Sequence, residues 1–241
     1  MARVFVSPEA LKGDRALLDA DAHRHLIKVL RLTVGRAIHI FDGQGCEIDA
    51  RIEGIGKNTV EVSLGERRRL PVPVCSIILI QALPRGERMD LIVQKTTELG
   101  VSRIVPVLSQ HGMAKPPAGR TRRWQTIAEE AARQSGRADV PQIEEPVPLA
   151  TALAQAGENS EEARFLLWEG ERGQALSRML SPDSKRMALL VGPEGGFAAA
   201  EVESCTQAGF RRAGLGPRIL RTETAAIVAV ALAQAAAGGL D

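Results

Sequence analysis

Two stretches near the C-terminus bring together residue types that can do chemistry: Val191-Gly192-Pro193-Glu194-Gly195-Gly196-Phe197, and Leu215-Gly216-Pro217-Arg218-Ile219-Leu220-Arg221-Thr222-Glu223-Thr224-Ala225. Each follows an apolar run and leads into a helical pattern. That places two adjacent loops at one edge of a sheet, where α/β domains hold small ligands. Neither loop is built to cradle phosphate. There is no G-x-x-x-x-G-K-[ST] and no G-x-G-x-x-G after a strand. Pro193 lacks an amide donor and Glu194 repels an anion. A neutral or cationic ligand fits better: the glycines admit close approach and Glu194 favours a positive or hydroxyl-rich group. The alternative is a tight strand-to-helix turn with no ligand. In the second stretch Arg221 at the mouth of a glycine-lined pocket could stabilise negative charge in a substrate, or could simply pair with Glu223 or Glu194; Thr222 is the candidate helix N-cap.

The elements that would hold these loops read as α/β. Ser76 to Leu83 is a nearly continuous apolar strand of the kind covered on both faces. Met89, Ile92, Val93, Thr96 and Leu99 follow helical spacing, and Gly100 stands where a C′ glycine would end that helix. Strands at Val101 to Leu108, Arg164 to Trp168 and Met187 to Val191 alternate with helices at Trp124 to Gln134 and Gln174 to Leu180. A mostly parallel sheet with helices on both faces follows. The alanine-rich run from Ala225 to Ala237 permits close helix packing, in a core or at a dimer interface.

The N-terminal part is different. Arg36 to Phe41, Cys46 to Ile55 and Thr59 to Leu64 alternate with period two and are joined by hairpin-type turns at Asp42-Gly43-Gln44-Gly45 and Gly56-Lys57-Asn58, which predicts a small barrel. Between Asp21 and Arg31 the spacing of Leu26, Val29 and Leu30 predicts a short helix, with Arg24, Lys28 and Arg31 in a row on another face. The row could track phosphates or could be a solvated face. Leu70-Pro71-Val72-Pro73 marks the boundary between domains 1–71 and 72–241.

Of the 241 residues, three are cysteines, far apart and without C-x-x-C or Cys/His pairing, which implies reduced thiols and no zinc site. No metal is expected. No apolar run has signal-peptide or membrane-spanning length, so a soluble cytoplasmic protein is expected. The net charge of +2 hides local clusters at Arg67-Arg68-Arg69 and at Lys115, Arg120, Arg122, Arg123, Arg133 and Arg137. These fit a polyanionic partner or solvated loops equally well. With no Tyr, two Trp and five Phe, the chain has few platforms for stacking bases, which argues against a single-strand binder of the aromatic-sheet type.

The two C-terminal loops, taken with His25 and Val29-Leu30-Arg31, Asp42-Gly43, Gln94-Lys95 with Glu98-Leu99-Gly100-Val101, and Glu130-Ala131 with Gln134-Ser135 and Arg137, closely resemble the RsmE family of ribosomal-RNA uridine-N3 methyltransferases in the SPOUT superfamily. The motifs run the length of the chain in the family's order. The resemblance implies a PUA-like N-terminal β-barrel that binds RNA and a C-terminal α/β domain tied in a trefoil knot. It also implies a homodimer, S-adenosylmethionine in the knot, and methylation of one uridine of 16S ribosomal RNA near the decoding centre of the small subunit. The cofactor residues it implies are Trp168, Glu169 and Gly170, then Gly192, Pro193, Glu194, Gly195 and Gly196, then Leu215, Gly216, Ile219, Leu220 and Thr224. The chain departs from the family in having Ala198 where Ser or Thr usually forms a capping box with Glu201, at a cost of about 1 kcal/mol. It also has Ser109-Gln110-His111-Gly112 where an Arg is expected, and Arg85 where Lys is common.

Uridine N3 lies on the pairing edge and carries a proton, so the base must be unpaired or flipped and must lose that proton near methyl transfer. Arg221 is assigned to stabilise the uridine anion through a carbonyl oxygen, and Glu223 or a water to accept the proton. Arg3, Arg24, Lys28 and Arg31, with Arg133 and Arg137, are expected to contact RNA. Two other functions remain open: a SPOUT methyltransferase acting on another RNA nucleoside, and an RNA-binding ribosome-assembly factor without catalysis.

Overall fold

In the computed structural model, which describes residues 1–11, 13–71, 73–113, 116–157 and 162–240, the chain divides into two units. Lys115 of the second basic cluster lies outside the described residues. The first unit comprises Met1–Val72 and, beyond any boundary that prolines can mark, Ala132–Val140. Its strands are β1 (Ala2–Phe5), β2 (Arg15–Leu18), β3 (Ala37–Phe41), β4 (Cys46–Ile55) and β5 (Val60–Arg69), in the order β1-β3-β4-β5-β2. Alternation sends Ile38, Ile40, Ile48, Ile52, Val60 and Val62 to one core with Val4 and Leu18. Because every strand supplies that core, the sheet curls about it. Two register shifts in the β4–β5 ladder, between Ile48 and Ala50 and between Ile52 and Gly54, bend β4 as β-bulges do. In the predicted turn after β3, Asp42 Oδ1 accepts the backbone N–H groups of Gln44 at 2.8 Å and Cys46 at 3.0 Å. Residues 132–140 join this unit through Gly45 N–H to Ala138 O (3.1 Å), Val140 N–H to Gly43 O (3.0 Å), and a small cluster of Phe41, Ala132 and Ala138.

The helix expected near Leu26 differs from its prediction. A single turn, α1 (Ala20–His23), is capped by Asp19 Oδ1 on the Asp21 and Ala22 amides. The chain then widens into a π-helical turn over Arg24–Val29, with Leu30 N–H bonded to His25 O at 3.0 Å, and Arg31 follows in the left-handed region at φ 54°. The extra residue per turn takes Val29 and Leu30 off the core side. Leu26 is buried, whereas Val29 is 64% and Leu30 41% exposed. Arg31 therefore lies beyond the turn that carries Arg24 and Lys28, so the three cations do not form one helical row.

The second unit carries β6 (Ser76–Ala82), α2 (Arg88–Glu98), β7 (Arg103–Leu108), α3 (Arg120–Ser135, whose last residues belong to the first unit), β8 (Gln142–Ile143), β9 (Val147–Pro148), α4 (Leu149–Gly157), β10 (Ala163–Leu167), α5 (Leu176–Met179), β11 (Arg186–Val191), α6 (Ala199–Gln207), β12 (Arg211–Ala213) and α7 (Thr222–Ala236). Its sheet is parallel throughout, in the order β12-β10-β11-β6-β7-β8, with β9 also pairing with β7. The apolar runs of β6, β10 and β11 are buried as doubly covered strands should be. Gly100 ends α2 at φ +90°, as its position predicts, and its carbonyl accepts the Gln234 side-chain N–H at 2.9 Å, pinning α2 to α7.

Cys75 and Cys205 are buried and Cys46 is half-buried. Burial, reinforced by the Glu201 carboxylate, pushes the Cys205 thiol up to about 12, and burial also raises that of Cys75. One thiol, Cys46, should therefore react with a thiolate-selective reagent in the native protein at pH 8, and three after denaturation. Two fast native thiols would contradict these burials. Among the described residues no helix is long and apolar enough to cross a membrane, and no three His, Cys, Asp or Glu side chains group as metal ligands.

Candidate functional site

Parallel strands end on the same side of their sheet, so the loops that follow neighbouring strands meet. In the second unit β12, β10 and β11 are such neighbours. Their loops enclose a cavity of about 580 Å³. The loop after β10 contributes Trp168 and Glu169; the loop after β11 contributes Gly192 to Gly196; the loop after β12 contributes Leu215, Gly216, Ile219 and Leu220, with Arg221 and Glu223 beyond. Two residues expected there stand aside: Gly170 and Thr224 do not line the cavity. Gly170 lies so close to the Trp168 ring that a Cβ would sit 2.5 Å from it, and Thr224 is exposed on α7.

The loops are stitched by backbone. Ala213 O accepts the Trp168 N–H at 3.1 Å, Gly214 N–H donates to Gln174 O at 2.8 Å, and Gly214 O accepts the Leu176 N–H at 2.9 Å. A Cβ at Gly214 would come within 2.6 Å of the Glu171 carbonyl, so only glycine allows this approach. Among the described residues, the backbone groups of 215–220 are not bonded to other backbone. Pro217 O accepts from Arg172 Nη1 at 3.2 Å; the other groups are left to pair with a ligand or water, beside apolar walls from Leu167, Val191, Leu215 and Ile219. Free amides and carbonyls, an apolar lining and the exposed Glu169 carboxylate suit a nucleoside-bearing, phosphate-free group of the adenosyl type.

The start of α7 is set by a buried polar chain. Arg221, not Thr222, is the N-cap residue, and no side chain caps the helix. Thr222 is the first helical residue. Its hydroxyl donates to Gly192 O at 2.6 Å and accepts the Gln81 side-chain N–H at 3.0 Å. Gln81, fully buried near the C-terminal end of β6, also donates to Ala82 O at 2.9 Å. A lone glutamine in an apolar strand was the available signal for this link.

Arg221 is exposed on the cavity rim, and among the described residues it has no ion pair. Both carboxylates that might have held it are engaged by Arg88 of α2. Glu194 pairs with Arg88 and accepts the Arg85 backbone N–H at 3.1 Å; Glu223 Oε2 lies 3.8 Å from Arg88 Nε. Arg88 is a cavity residue that spacing alone could not reveal. The capping box written off at Ala198 is half retained: alanine offers no acceptor, yet Glu201 still accepts the Ala198 N–H at 2.9 Å and the Gln110 N–H at 2.8 Å.

The expected RNA-contact cations of the first unit fall into two groups. Arg3 is enclosed by Glu47 at 2.8 Å, the Phe41 ring at 5.1 Å and the Arg137 carbonyl at 3.2 Å, and Arg137 pairs with Asp139 at 2.6 Å. Arg133 lies 2.9 Å from His25 Nε2. These three serve internal contacts. Arg24 is exposed and pairs with Asp21 at 2.8 Å, while Lys28 and Arg31 are exposed. Arg68 of the arginine cluster is held by Asp49 at 2.6 Å, and Arg67 donates to Leu11 O at 3.0 Å. In the second unit Arg120 and Arg123 surround Asp90, which also accepts the Trp124 indole N–H at 3.1 Å.

Comparison with known proteins bears on both units. Residues 71–234 match the model of an RNA methyltransferase domain, and residues 18–65 that of an RNA methyltransferase PUA domain. The ribosomal RNA small subunit methyltransferase E of Bacillus subtilis is 32% identical over 86% of this chain and 84% of its own length. The protein of the same name from Synechocystis is 30% identical over 95% of this chain and 76% of its own. A crystal structure of a ribosomal RNA small subunit methyltransferase E from Neisseria gonorrhoeae, bound to S-adenosyl methionine, superposes with a TM-score of 0.88 at 33% identity, covering 98% of this chain and 97% of that one. A Legionella pneumophila methyltransferase in complex with the same cofactor gives 0.89 at 32% identity, with 98% of each chain covered.

Proposed function

The chain belongs to the ribosomal RNA small subunit methyltransferase E family, and from that premise we propose that it uses S-adenosylmethionine to methylate N3 of one uridine in 16S ribosomal RNA of the small subunit. The observation that carries the proposal is the three-loop cavity with free backbone groups inside and an unpaired Arg221 at its rim. When bound, the cofactor supplies a methyl group made electrophilic by a sulfonium. The chain's own contribution is to place, shield and stabilise. The loops at Trp168 to Glu169, Gly192 to Gly196 and Leu215 to Leu220 hold the adenosyl portion, with Glu169 accepting hydrogen bonds from its hydroxyls. Arg221 donates to a carbonyl oxygen of the uridine and stabilises the charge that N3 deprotonation puts there. Glu223 or a water takes the N3 proton.

The wider reading has support of the same kind. In the proposed trefoil knot, chain leaving the edge strand β12 must return to the sheet centre. Thr222 bonds to Gly192 after β11 and to Gln81 in β6, as such threading needs. Homodimerisation through α7 is supported by Ile227, Val228 and Leu232, which stay half-exposed. We further propose a cytoplasmic protein organised as domains 1–71 and 72–241, with Arg24, Lys28 and Arg31 as its phosphate contacts. The double variant K28A/R31A should reduce the slope of log affinity against log salt by about one to two. An unchanged slope would leave those cations as a solvated face.

The direct test is incubation with methyl-labelled cofactor and small subunits lacking the modification, together with calorimetry of cofactor binding. One site per chain and label in 16S RNA are expected. Absence of cofactor binding, or label in protein alone, would refute the proposal.

A further inference from the structure

We propose that Arg88 is a positioning residue that keeps Arg221 available to substrate by occupying the two carboxylates that would otherwise capture it. The inference rests on the role given to Arg221 above. Arg88 stands at the start of α2 and lines the cavity. Its guanidinium is ion-paired with Glu194 through Nη1 and lies 3.8 Å from Glu223 Oε2 through Nε. Arginine suits this bridge because its rigid planar fork sets donors on separate nitrogens, Nη1 and Nε, whereas an ammonium gathers its three donors at one point on a flexible stem.

The two carboxylates depend on it to different degrees. Glu194 has a second partner in the Arg85 amide, at 3.1 Å, so it is anchored to the residues leading into α2. Glu223 is the more enclosed, its side chain 13% exposed, and its buried Oε2 has no hydrogen-bond partner among the described residues. An enclosed carboxylate without a cation is unstable and draws the nearest one. Arg221 and Arg218 line the same cavity, and both are exposed.

Charge balance gives the same result. Four arginines, at 88, 172, 218 and 221, line the cavity against four glutamates, at 169, 171, 194 and 223. Removing Arg88 leaves an excess negative charge where the uridine anion must form. Both consequences, capture of Arg221 and a negative cavity, slow the same step.

The test compares Arg88→Gln, Arg88→Lys, Arg221→Ala and the double variant R88Q/E194Q in single-turnover methyl transfer to small subunits lacking the modification. Cofactor affinity is measured by calorimetry. R88Q should slow transfer about tenfold or more, with cofactor affinity within about threefold of the parent. R88Q/E194Q, which restores the charge balance, should recover most of that loss. R88K, which keeps the charge and loses the fork, should fall between parent and R88Q, and a parental rate for R88K would count against the inference if R88Q does not fold. A parental rate for R88Q, or a slowed R88Q that E194Q does not improve, would overturn the inference and leave Arg88 a structural ion pair. A collapsed R221A beside a parental R88Q defeats this inference alone. An unaffected R221A removes the assignment on which it rests and the inference with it.

Discussion

Replacing Arg221 with alanine should lower the single-turnover rate of methyl transfer by about 10²–10³-fold while leaving cofactor affinity within about twofold. The size of the effect follows from where the charge develops. Uridine N3 becomes a nucleophile when its proton leaves, and the resulting anion is shared with the flanking carbonyl oxygens. A guanidinium aimed at one of those oxygens, once the bound base and cofactor cover it, is worth several kcal/mol, and it acts on the transition state more than on the bound substrate. Arg221 meets the requirement because it is not already spent. It lies on the cavity rim, exposed, while Glu194 and Glu223 are held by Arg88. Cofactor affinity should survive because the cofactor walls come mainly from the three loops before it. Loss of affinity in proportion to the loss of rate would move Arg221 from catalysis to cofactor binding.

The second large effect is expected at Thr222, on stability and activity together. Thr222→Val keeps the shape and removes the hydroxyl that joins Gly192 O to the Gln81 amide. Gly192 O loses its donor and Gln81 Nε2 one of its two acceptors, in a place where Gln81 and Thr222 are both buried. Stranding buried polar groups costs about 1–3 kcal/mol, and a loss of about 2 kcal/mol lowers the melting temperature of a chain this size by about 4–8 °C. Serine at the same position keeps the hydroxyl and should restore most of the stability. Because the same bond fixes the glycine loop against the first turn of α7, transfer should slow even below the melting transition. A valine variant as stable as the parent would show that the Gln81–Thr222–Gly192 chain contributes nothing net.

The architecture of the second unit was largely legible, because parallel strands buried on both faces write continuous apolar runs and their loops carry glycine and proline. The loops themselves, and Arg221 and Glu223 beside them, stood out for the same reason. Contacts between distant segments were not legible. Arg88 and Glu194 are 106 positions apart, and no spacing rule links the start of one helix to a loop after a strand formed much later. Arg3 read as a free cation because nothing near it in the chain foretells Glu47, Phe41 and Arg137 closing round it. The turn after α1 misled in another way. Leu26, Val29 and Leu30 have α-helical spacing, but the backbone takes a π-helical turn there, and Val29 is left exposed beside a buried Leu26. Thr222 has the residue type of an N-cap, and its hydroxyl is used instead in a buried bond that depends on β6 and the loop after β11.

The chemistry proposed for this cavity is methylation of N3 of a uridine in 16S ribosomal RNA. Digestion of that RNA to nucleosides after reaction with methyl-labelled S-adenosylmethionine, with the labelled nucleoside identified by mass and chromatography and its position mapped, tests it most directly. The account predicts a single labelled species, N3-methyluridine, at one position, formed by the parent protein and nearly absent with R221A. Label in any other nucleoside, or at the ribose, would contradict it.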